Sequence, residues 1–184
     1  MTLHSDVAEL LAGAGIVDVD VDDAVADEHV RSSAYQRVVS VTASSRSRDR
    51  DRAIVATILR DPLDIVSKTA VAALVDTIAM KVTGPVEFRQ WSAELLPEID
   101  QLESEAYREF IRRRIDDWLF HLSIEDGHMP TQAELAKATD WMQRRLAEES
   151  TSPAVLALLA ESARTKKTRN IAKNRAGSSQ LRTE

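Results

Sequence analysis

From Leu63 onward the apolar side chains of DPLDIVSKTAVAALVDTIAMKVT, residues 61–83, fall on two helical faces. Leu63, Val66, Ala70, Ala73 and Leu74 form one; Val71, Val75, Ile78 and Val82 form the other, mostly in steps of three or four. A helix apolar on both sides has to be covered on both, so this segment is expected at the centre of the molecule. Asp61 is placed to accept from the first free backbone NH groups, Pro62 suits the first helical position, and Gly84 followed by Pro85 marks the stop.

The same period recurs along the chain. Asp6 to Ala12 predicts a short helix with Val7, Leu10 and Leu11 inside. IVDVDVDD, residues 16–23, reads as an extended lead-in, because nothing else offers a strand to pair with. Asp22 to about Ser44 and Arg52 to Arg60 predict two more helices, joined by the low-complexity run SSRSRDRDR, which reads as a solvated linker or a basic loop for phosphate. VEFRQWSAELL is amphipathic through Phe88, Trp91 and Leu95. Pro97 then marks the start of the longest helix, ending before Gly127, with a stripe from Ile99 through Phe110 and Trp118 to Leu122. Thr131 and Glu134 form a capping box that opens a continuous helix to about Glu149, and Ser152 with Pro153 opens the last. The predicted core is Val66, Ala70, Leu74, Ile78, Phe110, Trp118, Leu119, Met142 and Leu158.

Asp61, Pro62, Val66, Ala70, Ala73 and Leu74 spell DPxxxVxxxAxxAL, which resembles the second helix of a HEAT-type helical repeat. That family usually carries Arg after the Val, where this chain has Ser67, and the pattern has no second copy at a period of roughly forty residues. The resemblance covers residues 61–74 and implies a scaffold role, with neighbouring helices approaching over small side chains.

Composition narrows the class. Few aromatics, five glycines and no cysteine favour helix and rule out disulfides, a thiolate nucleophile and a Cys-based zinc site. No stretch reaches the roughly 20 apolar residues of a membrane span, and the N-terminus lacks a basic leader, so a cytoplasmic location is expected. The net charge of -6 is unevenly spread. Residues 1–30 hold eight acids and no Lys or Arg, whereas Arg164, Lys166, Lys167, Arg169, Lys173, Arg175 and Arg182 crowd the C-terminus with no acid among them. Such ends attract each other or separate partners.

Three groups of residues bear on function. His121, Glu125, Asp126 and His128 lie around a helix end, but two histidines without a third well-placed ligand do not make a metal site, and no metal or cofactor is assigned. TQAELAKATDWMQRRL resembles a degenerate helix-turn-helix through Gln132, Ala136 and Leu146, with Asp140 where the tight turn usually has Gly; in that reading Gln143, Arg144 and Arg145 lie near DNA. The basic tail is the third. Its cations suit nucleic acid or another anionic surface, although no aromatic residue interleaves with them for base stacking. No catalytic residue is nominated, because no spacing selects a nucleophile with its base.

The sequence therefore predicts an all-α protein of about seven helices in antiparallel pairs, a short HEAT-like array or irregular bundle. Residues 1–163 form the helical domain and residues 164–184 a basic tail that frays from near Ala176. The expected function is a non-enzymatic interaction or regulatory protein that binds another protein. The alternative is a DNA-associated regulator using residues near 131–149 together with Arg144, Arg145, Lys166, Lys167, Arg169, Lys173 and Arg175. The stripe from Ile99 to Leu122 would also serve a homodimer.

Overall fold

The computed structural model describes the backbone of residues 1–180 and the side chains through Ser178; residues 181–184, Arg182 among them, lie outside the described residues. The described chain is all-α, with no strand and 11 helices: α1 (Leu3–Gly13), α2 (Val21–Ala26), α3 (Glu28–Ser44), α4 (Asp51–Ile58), α5 (Asp64–Ala79), α6 (Pro85–Ile99), α7 (Glu105–Glu125), α8 (Gln132–Lys137), α9 (Asp140–Glu149), α10 (Pro153–Ser162) and α11 (Lys166–Gln180). None is long and apolar enough to cross a membrane.

The expected count of seven is too low because single polar residues cut what the apolar period joins. Asp27 ends α2 by donating its NH to the Asp23 carbonyl, and its carboxylate starts α3 by accepting from His29 and Val30. Thr139 does the same between α8 and α9, where a continuous helix was expected: its hydroxyl accepts from the Met142 NH. Pro97 does not open the longest helix. It lies in the last turn of α6, where it removes one backbone bond shortly before the helix stops at Ile99. Residues 100–104 intervene, and α7 is roughly 32 Å long by rise per residue.

The chain divides into two compact units, residues 1–115 and 116–184. Within the first, α3 and α5 pack most extensively on each other, α1 and α2 lie on α3, and α4 touches α1, α5 and α6. Val7, Leu10, Tyr35, Val38, Val55, Ile58, Val71, Leu74, Val75, Phe88 and Leu95 fill its core. Both faces of α5 are covered as its pattern requires, and Val66, Ala70, Leu74 and Ile78 are buried. Phe110 is a correction: it is 37% exposed and lies under two cations, the Lys68 ammonium at 4.5 Å and the Arg114 guanidinium at 5.5 Å.

Two buried ionic knots fix this unit. Arg31 donates from Nε to Asp61 Oδ2 at 2.7 Å and from Nη1 to the Ala24 carbonyl at 2.9 Å, while the Tyr35 hydroxyl donates to the same Asp61 oxygen at 2.9 Å. Asp61 therefore does not cap α5 from the first turn. The helix begins at Asp64, and the other Asp61 oxygen accepts from the Leu63 NH just before it. At the far end of the same helices Lys81 donates to the Ala43 carbonyl at 2.8 Å, so α3 and α5 run parallel, with α4 returning between them in sequence. The second knot is Asp51, which accepts from the Trp91 indole at 2.9 Å and from Arg48 at 3.1 Å. Burial pushes its carboxyl up from the ordinary value, against the pull of Trp91 and Arg48. With Arg48 held here and Arg52 paired to Glu98, two of the arginines of SSRSRDRDR serve the fold.

The second unit contains the end of α7 and helices α8 to α11. Its core comprises Trp118, Leu122, Leu135, Met142, Leu146, Val155, Leu156, Leu159, Ala163 and Ala172. Leu119 and Leu158, predicted as core, are half-buried. Where the sequence reading placed a fraying tail, α11 is a helix that packs on α10 and α9 and continues past Ala176 to Gln180.

Candidate interaction surface

In the second unit the Thr131–Glu134 capping box forms as its spacing demands: the Thr131 hydroxyl accepts from the Glu134 NH, and the Glu134 carboxylate accepts from the Thr131 NH at 2.8 Å. Two residues after α8 ends, Thr139 caps α9. Its NH and hydroxyl both donate to the Asp117 carboxylate on α7. The result is a helix, a tight break at Ala138 and Thr139, and a second helix, achieved without the Gly that such a turn usually carries.

Gln143, on the second of these helices, is not available to a ligand. It is 1% exposed, donates to the Leu135 and Ala138 carbonyls at 2.8 and 3.2 Å, and accepts from the Arg164 NH at 2.8 Å. One amide thus ties the α8–α9 break to the segment between α10 and α11. The arginines beside it are also engaged. Arg144 donates to Glu148 at 2.7 Å; Arg145 pairs with Glu149 at 3.0 Å and lies 4.6 Å over the Trp118 ring.

On α11 the five nominated cations separate by role. Arg169 donates to the carbonyls of Ala163 and Arg164 at 2.6 and 3.1 Å, at the end of α10, and Arg175 donates to the Ala147 carbonyl at 3.0 Å, in the last turn of α9. Both are cations placed against the negative ends of helix dipoles. Lys166, Lys167 and Lys173 are exposed and make no ion pair with any described residue. Asn170 and Asn174 are exposed on the same side at steps of three and four, between and beyond the lysines, and belong to the surface although the sequence reading omitted them. Charge drew attention to the lysines; only the helical period of α11 places the two amides with them.

The histidine group does not converge. His121 is buried, with Nδ1 3.6 Å from Glu125 and no hydrogen bond, while His128 turns to Glu134 at 3.1 Å. Burial pushes the His121 pKa down, opposed by Glu125 and Glu149 and aided by Arg145. Among the described residues no three His, Asp or Glu side chains gather as metal ligands. Comparison with known protein families, characterised proteins and solved structures returns no match for this chain.

Proposed function

We propose that this chain is a helical binding protein whose second unit engages another protein through α11, with Lys166, Lys167 and Lys173 meeting carboxylates on the partner. The observation that carries this reading is a row of cations without internal partners, on a helix held in place by its own packing and by the Arg169 and Arg175 bonds. Ordering the lysine backbones in advance lowers the entropy cost of forming such an interface. The HEAT-like pattern of residues 61–74, with its scaffold role, supports the same class of function.

A second reading, contact with nucleic acid, draws on the break between α8 and α9. It is favoured less, because Arg144, Arg145, Arg169 and Arg175 are already engaged, leaving three free lysines. Three phosphate contacts give a salt slope of only about -2.7, well short of the roughly 6–10 contacts of strong duplex binders. The two arginines of α9 are moreover each matched by a glutamate.

Fluorescence anisotropy of a labelled oligoglutamate peptide and a labelled duplex oligonucleotide, at low and moderate salt, separates the two. Peptide binding that disappears in the K166E/K167E/K173E variant supports the protein-partner reading. Duplex binding alone, lost in the same variant, replaces it with the second. No difference between wild type and variant on either probe overturns both.

A further inference from the structure

The first unit contains a cleft of about 270 Å³ between α1, α3 and α4. Its walls are aliphatic, from Leu10, Val38, Val41, Ala53 and Ile54. In volume it matches about nine water molecules at their share in the liquid, room for an organic molecule of roughly ten heavy atoms. An apolar body is what such walls favour.

The polar groups around it decide the other end of the ligand. The Thr57 hydroxyl is turned to the Ala53 carbonyl and the Ser47 hydroxyl to Asp49. Asp51, on the floor, is buried and already accepts from Trp91 and Arg48. Arg60 is paired with Asp6 at 2.7 Å, and Glu9 is an exposed carboxylate at the rim of the cleft. That leaves Arg50. It lines the cleft, is exposed, and makes no ion pair with any described residue. Its guanidinium lies across Gly13, so closely that a Cβ there would stand 2.8 Å from Nη2. Gly13, the last residue of α1, and Arg50 thus meet in the lining of the cleft.

We propose that this cleft binds a small carboxylic acid with an aliphatic body, the chain lying between α3 and α4 and the carboxylate taken by Arg50. The site is separate from the α11 surface, and the proposal stands whether or not that surface binds a protein. A planar guanidinium suits a carboxylate better than any other single side chain, since its donors form a fork that matches the two oxygens.

The test is an amide-resolved NMR titration of the full chain with hexanoate and, separately, with hexylamine. Saturable shifts at Leu10, Val41 and Ile54 with hexanoate but not hexylamine are expected. Arg50→Gln should weaken hexanoate roughly tenfold, the effect of one charge-assisted pair. Val41→Trp should abolish binding by filling the cleft; Val41 is 45% exposed, so the larger ring need not enter the core. Absence of saturable shifts, equal binding of hexylamine, or full affinity in either variant overturns the proposal.

Discussion

Arg31 and Asp61, 30 residues apart in sequence, meet at 2.7 Å with side chains 3% and 0% exposed. The pair joins the end of α2, the body of α3 and the start of α5, because Arg31 also holds the Ala24 carbonyl and Asp61 also takes Tyr35 and the Leu63 NH. Every bond would otherwise be a buried polar group left alone. Burial beside the Asp61 carboxylate also pushes the Tyr35 hydroxyl far above its ordinary pKa.

Removing one partner should therefore cost far more than removing both. Arg31→Met is expected to destabilise the first unit by about 3–5 kcal/mol, since it leaves a buried carboxylate without a countercharge. The double variant R31M/D61L should recover much of that loss. Urea unfolding followed by circular dichroism measures both; additive losses would refute the pairwise account.

Gln143→Met keeps the volume but removes three bonds to backbone groups. The Leu135 carbonyl keeps the Ala138 NH and the Ala138 carbonyl keeps the Arg164 guanidinium, so the Arg164 NH left without an acceptor should carry the cost, about 2 kcal/mol. Hydrogen exchange should quicken at Thr139 to Met142 and at Arg164 together, although these segments are 21 or more residues apart. Faster exchange at only one of them would show that the amide does not link the two.

Cations on α11 should differ in what they contribute. Replacing Lys166, Lys167 and Lys173 by Met should change stability by no more than about 0.5 kcal/mol, as expected of surface positions away from any partner. Arg169→Met or Arg175→Met should each cost about 1 kcal/mol, because helix-end carbonyls lose a charged donor. Thermal melts of the five single variants suffice to compare them.

His121 gives the second unit a pH dependence of determinate sign. Burial lowers its folded-state pKa below the ordinary 6.5, so the unfolded chain binds the proton more readily. Stability from keeping this ring neutral is complete above about pH 6.5 and declines as pH falls below that value. Melts from pH 8 downward should show the decline in wild type and a shallower one in His121→Phe. An equal slope in both would assign the effect to other groups.

Much of the fold was legible where one physical signal acted alone. The two-faced period of residues 61–83 placed α5 in the core, and the Thr131–Glu134 and Ser152–Pro153 signals gave helix starts directly. Reading failed where a lone polar residue competed with an unbroken apolar series. Leu135, Ala138, Met142 and Leu146 all face inward as a continuous helix would place them, yet Thr139 finds Asp117 and the helix breaks. Pro97 misled in the opposite way: it suits a first turn, yet here α6 carries it in its last turn at the loss of one backbone bond. On the candidate surface, charge drew attention to α11 but could not sort its cations: whether Arg169 or Lys173 is free depends on a carbonyl end that only the packing of α10 reveals.

The tryptophans give each unit its own optical signature. Trp91 is the sole indole of the first unit and donates to the buried Asp51, so its emission should change when the α4–α6 packing opens. Trp118 and Trp141 of the second unit stand 5.9 Å apart at 70°, close enough for their transitions to couple. Near-ultraviolet dichroism then reads chiefly the second unit, and the emission lost in Trp91→Phe reads the first. One molecule without any attached dye can show whether its halves melt together or in turn.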